Sequence, residues 1–89
     1  MTVTAATIEV KVRYFAAARA AAGLEQETVA VATGATVADL VADLRTRDQK
    51  LARVLDRCSY LCDGVAVRDA GRTLETNQIV DVLPPFAGG

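Results

Sequence analysis

The sequence predicts an α+β fold, a mixed sheet with helices packed on one face, and three observations lead there. An alternating strand pattern opens the chain, two helical stripes of apolar residues occupy its middle, and a β-branched run stands near its end. The order β, short α, β, long α, then further strands lacks the regular crossovers that an all-parallel sheet needs. With 89 residues, 52% of them hydrophobic, there is room for one core.

In residues 8–14, Ile8, Val10, Val12 and Tyr14 fall on one side and Glu9, Lys11 and Arg13 on the other, as in a half-exposed strand. Residues 16–22 are alanine but for Arg19, and Gly23 stands where a left-handed cap would end a helix of about two turns. Glu27, Val29 and Val31 share one face of a second, shorter strand. Thr36 precedes Val37, Leu40, Val41 and Leu44, with Asp39 placed like the acidic partner of a capping box, so the main helix starts there. A further stripe of Leu51, Val54, Leu55 and Cys58 is flanked by Lys50, Arg53 and Arg57 on a solvated face. Asp63-Gly64 suits a tight hairpin between two short strand pieces in residues 60–67, because both positions tolerate positive φ. After Leu74 and a polar turn at Thr76-Asn77, residues 79–83 form the last strand. The domain therefore spans residues 8–83, between a leader of residues 1–7 and a tail of residues 84–89.

Several chemistries are excluded. Histidine is absent, which removes the common general base near neutral pH, the Ser-His and Cys-His nucleophile pairs and every His-containing zinc site. Ten basic against eleven acidic residues, spread along the chain, make no field that would gather nucleic acid or anionic lipid. Cys58 and Cys62 are too few for an all-cysteine zinc site. At roughly 13 Å apart if extended, they are also beyond disulfide reach and read as reduced, buried thiols. No metal and no bound cofactor is expected. Neither a basic leader before an apolar run nor an apolar stretch of about 18 residues is present, so the expected location is the cytoplasm, without a membrane partner. Arg53 and Arg57, one turn apart, read as solvated surface, and Tyr14 and Tyr60 as packing residues, since no base or metal accompanies either tyrosine. Phe15 fits either the core or an apolar docking patch shared with Phe86.

The tail carries the functional argument. In Pro84-Pro85-Phe86-Ala87-Gly88-Gly89 the two prolines remove two ladder donors and fix φ, so the sheet stops and the chain leaves it extended. Six residues then project up to roughly 20 Å. Pro84 and Pro85 stiffen the base, while Ala87, Gly88 and Gly89 make a tip thin enough to thread a narrow channel. At about 7% average glycine usage, a terminal Gly-Gly arises by chance in roughly 0.5% of chains, which sets this tail apart from an ordinary frayed end. The Gly89 carboxylate is the candidate reacting group, an electrophile once a partner has activated it. Gly88, Ala87, Phe86 and Pro85 are the candidate partner-binding residues.

The segment from Val80 through Leu83 to Gly89, the stretch Lys11-Val12-Arg13-Tyr14-Phe15-Ala16-Ala17-Ala18-Arg19 followed by Gly23, and the Asp63-Gly64 hairpin together resemble the MoaD/ThiS sulfur-carrier family. The likeness spans nearly the whole chain and lies nearest to the small subunits of molybdopterin synthases. It implies a ubiquitin-like β-grasp fold. It also implies that an E1-like adenylyltransferase uses ATP to adenylate the Gly89 carboxylate, that a sulfur donor enzyme replaces AMP to leave a thiocarboxylate, and that the large synthase subunit receives this sulfur to build the molybdopterin dithiolene. On that reading the chain is substrate and carrier, not a catalyst alone, and no residue here forms a glycine-rich ATP loop of its own. Two departures, Glu75-Thr76-Asn77-Gln78 in place of an acidic, glycine-containing turn and Ala20 after Arg19, touch surface contacts. Sulfur delivery to thiamine thiazole or cysteine, and a ubiquitin-like modifier or interaction module, stand as alternatives, with the Pro-Pro-Phe sequence favouring the molybdopterin branch.

Overall fold

A computed structural model describes residues 6–85. Five strands form one mixed sheet: β1 (Thr7–Tyr14), β2 (Gln26–Ala32), β3 (Ser59–Cys62), β4 (Val65–Ala66) and β5 (Ile79–Leu83), in the spatial order β2-β1-β5-β3-β4. Among the described residues only the β1–β5 pair is parallel, and the other pairs are antiparallel. Three helices, α1 (Ala16–Ala22), α2 (Val37–Arg45) and α3 (Gln49–Leu55), complete the fold. The mixed sheet predicted from the chain order is thus present, and the last strand to form in sequence is the central one.

The alternation of β1 works as expected: Val10, Val12 and Tyr14 are buried, while Glu9 and Lys11 are exposed. The buried set meets Val80 and Val82 of β5, Leu40 and Leu44 of α2, and Leu51 and Leu55 of α3 in a single core. Thr36 caps α2 with both halves of the capping box, its Oγ1 accepting from the Asp39 N–H at 3.1 Å and the Asp39 carboxylate accepting from the Thr36 N–H at 2.9 Å. Gly23 ends α1 at φ 79°, its N–H bonded to the Arg19 carbonyl at 2.9 Å. Asp63 and Gly64 take φ of 50° and 82°, the two left-handed positions of a tight hairpin turn.

Strand ends shift by a single residue, with Thr7 joining β1 and Ser59 joining β3, and the end of α3 differs by more. The stripe running to Cys58 predicts a longer helix than α3, which stops at Leu55, with Cys58 lying beyond it. The Cys58 thiol instead donates to the Val54 carbonyl at 3.1 Å, closing the chain reversal into β3. The start of α3 has its own cap, the Asp48 carboxylate, which accepts from Lys50 N–H at 2.6 Å and Leu51 N–H at 3.4 Å.

Candidate functional site: the exit of the carboxyl-terminal tail

β5 is held on both sides, by β1 through Tyr14 opposite Val82 and by β3 through Ser59 opposite Leu83. Both ladders therefore run out where Pro84 begins, as the loss of its N–H requires. The tail leaves from the middle of the sheet, where its base cannot swing with an edge strand. Phe86, Ala87, Gly88 and Gly89, four of the five residues singled out in the tail, lie outside the described residues; Pro85 is described and exposed.

Beside this exit the chain reverses from β1 into α1. Phe15 is extended at φ −121°, ψ 148°, and its N–H bonds the Val82 carbonyl at 3.2 Å. Ala16 then takes φ 50°, a left-handed conformation that costs an L-residue about 1–2 kcal/mol. The turn leaves Phe15 40% exposed, outside the buried core. Phe15, Ala16, Ala17, Ser59, Leu83, Pro84 and Pro85 line an apolar groove of about 520 Å³. A hollow of similar size along residues 30–35 with Asp39 and Asp43 lies away from the tail, and Asp39 is already committed to the α2 cap.

Two polar constellations anchor β1, one on each side of the sheet, and neither pairing is singled out by the sequence. On the side of the sheet turned away from the helices, Arg13 donates to both carboxylate oxygens of Asp81, Nε to Oδ1 at 2.5 Å and Nη2 to Oδ2 at 2.9 Å. On the core side, the Tyr14 hydroxyl donates to Glu27 Oε2 at 2.7 Å, and Arg47 donates to the other Glu27 oxygen, tying β1 and β2 to the segment between α2 and α3. Burial, reinforced by the hydrogen bond to Glu27, holds the Tyr14 phenol well above its ordinary range. Tyr60, which donates to the Leu55 carbonyl at 2.8 Å, is pushed up to about 12, mainly by burial. Both tyrosines are packing residues with satisfied hydroxyls, as their sequence context indicates.

The two cysteines are free, Cys62 buried and Cys58 half-buried, and burial pushes both thiols up. Burial that disfavours the thiolate makes each a poorer nucleophile than a solvated cysteine. Among the described residues no group of three or more Cys, Asp or Glu side chains is placed to hold a metal ion, and no helix is long and apolar enough to cross a membrane. Arg53 and Arg57 are exposed on α3 and beyond it, beside a shallow hollow with Val54 and Asp56.

A mixed sheet with helices on one face and a central strand that ends at Pro84-Pro85 is the arrangement of a ubiquitin-like β-grasp protein, and the relatives agree. Residues 12–89 match the ThiS family, and the chain belongs to it. A molybdopterin synthase sulfur carrier subunit from Chlamydomonas reinhardtii is 30% identical over 83 residues, covering 92% of this chain and 100% of that protein. A Haloferax volcanii protein solved in solution superposes with a TM-score of 0.81 at 32% identity, covering 93% of this chain and 88% of that one. The crystal structure of small archaeal modifier protein 1 from the same organism gives 0.79 at 26% identity, with 91% and 99% covered.

Proposed function

We infer that this chain is the sulfur-carrying small subunit of a molybdopterin synthase, with the Gly89 carboxyl group as its cargo site. The observation that carries the reading is the tail exit: a central strand ending at Pro84-Pro85, beside an exposed apolar groove, in a chain similar to a molybdopterin synthase sulfur carrier subunit. A carboxylate oxygen of Gly89 attacks the α-phosphorus of ATP within an E1-like adenylyltransferase, and pyrophosphate leaves. Sulfide-level sulfur from a donor enzyme then attacks the acyl carbon and expels AMP, leaving a thiocarboxylate. ATP is thus used by the partner, and this chain needs no cofactor of its own.

Each part of the tail has a physical task in that scheme. Pro84 and Pro85 hold the base of the arm away from the sheet, and Phe86 supplies an apolar anchor near the entrance of the receiving subunit. Gly88 and Gly89 lack side chains that would block close approach to the acyl carbon. The raised thiols of Cys58 and Cys62 support placing the sulfur on the terminus and not on a cysteine.

Deleting Gly89, or adding one residue after it, is expected to abolish molybdopterin formation by the assembled synthase while the melting temperature stays nearly unchanged. A truncated chain that still supports synthesis would overturn the terminal-carboxylate mechanism. Similarity to a small archaeal modifier protein favours one second reading, in which the same activated carboxyl group is passed to a lysine amine. Conjugates that survive denaturing electrophoresis would identify it.

A further inference from the structure

Asp81 occupies an odd position. It lies midway along β5 between Ile79 and Leu83, which share its face of the sheet, and its register partners are Arg13 on β1 and Leu61 on β3. That face is turned away from the helices, yet the Asp81 side chain is only 7% exposed, while Arg13, which grips it through two hydrogen bonds, is 43% exposed. The same guanidinium sits over the Phe15 ring, its Cζ 5.8 Å from the ring centroid, within cation–π range. Phe15 in turn walls the groove with Leu83, Pro84 and Pro85. A contiguous chain of contacts thus runs from a buried carboxylate to the base of the tail.

Stability alone does not account for the pair. Replacing such a pair by apolar residues of similar volume is often neutral or stabilising, and Leu61, Ile79 and Leu83 already make the surroundings apolar. An apolar pair cannot, however, hold a planar guanidinium in one orientation. The two-pronged grip of a carboxylate does so, and it leaves Arg13 with N–H donors on its exposed side that no other described residue takes up.

We propose that the Arg13–Asp81 pair is a positioning and specificity device: it clamps the Phe15 ring as a fixed wall of the tail-exit groove, and it presents the remaining Arg13 donors to an acceptor oxygen on the large synthase subunit. The choice of occupant rests on the sulfur-carrier reading and on reach. A six-residue arm spans at most roughly 20 Å, so a subunit that takes in Gly89 lies within that distance of the groove at its base. An apolar surface without an acceptor opposite Arg13 would leave desolvated donors unpaired, which penalises the wrong partner more than it rewards the right one.

The test uses the full chain and the double variant Arg13→Met/Asp81→Leu, because removing Arg13 alone strands a buried carboxylate. In the unmodified chain, NMR should show Phe15 ring contacts to Pro84 and a ring-current shift on the Arg13 Nε–H. The double variant should lose the ring contacts while its melting temperature holds. With the thiocarboxylated carrier as substrate of the large subunit, the double variant should raise KM about tenfold at unchanged kcat, since the reacting carboxyl end is distant. Arg13→Lys, a point charge without a fork, should restore only part of this loss. Ring contacts and KM both preserved in the double variant would overturn the proposal. A thiocarboxylated chain without substitutions that yields no product with the large subunit would instead defeat the sulfur-carrier reading and the partner assignment with it, while the ring contacts still decide the clamp.

Discussion

On the face turned to the helices, Val10, Val12, Val80 and Val82 are at most 1% exposed, whereas on and beside the opposite face Phe15 is 40% exposed and the Arg13–Asp81 pair lies among apolar neighbours. The first face is complete within the chain. The second, together with the groove at the tail exit, has apolar surface that no other described element covers, so the two faces differ in how far the described residues complete them. On the proposed sulfur-carrier reading, this separation lets the working end enter another protein while the body stays intact.

Three changes should break or sharpen the contrast. The largest effect belongs to the core: Leu44→Ala removes a fully buried side chain of α2 and should cost about 2–5 kcal/mol, seen as a fall in Tm of roughly 10 °C or more. The fraction still folded should bind the large subunit as before. Phe86→Ala should do the reverse, weakening that binding about thirtyfold, about 2 kcal/mol, with Tm unchanged. A stability loss of about 3–5 kcal/mol with intact affinity would instead mean that Phe86 packs on its own sheet.

The smallest effect is a pH dependence that belongs to the core side alone. Tyr14 and Tyr60 both hold their protons more tightly in the folded chain than the ordinary value of 10.0 allows, Tyr60 up to about 12. A raised folded-state pKa gives stability that is complete below the unfolded value and is lost as pH rises through the folded one. Denaturant midpoints should therefore be insensitive to these groups below pH 10 and decline across roughly pH 10 to 12. Tyr60→Phe should flatten part of that decline.

Much of this architecture could be read from local patterns. The alternation of Ile8 to Tyr14, the Thr36/Asp39 box and the Asp63-Gly64 turn each specify backbone conformation within a few residues, and all three appear as expected. The polar pairs could not be read, because they depend on register between distant strands: Arg13 and Asp81 are 68 positions apart, and only the parallel alignment of β1 with β5 brings them together. Glu27 did leave a trace, as a carboxylate on the same strand face as Val29 and Val31, a position that demands a buried partner. Its partners, Tyr14 and Arg47, come from elements whose packing the sequence does not state. Cys58 misled in the other direction, since its spacing extends the α3 stripe while its thiol serves the turn that ends the helix.

The central claim is that the chain carries sulfur on its terminal carboxyl group. Intact-mass spectrometry after incubation with an E1-like adenylyltransferase, ATP and a sulfur donor tests it most directly. The expected product is a species heavier by the exchange of one oxygen for one sulfur, mapped by fragmentation to Gly89 and absent when ATP is omitted. Recovery of the unmodified carboxylate alone under complete charging conditions, or sulfur located on Cys58 or Cys62, would contradict it.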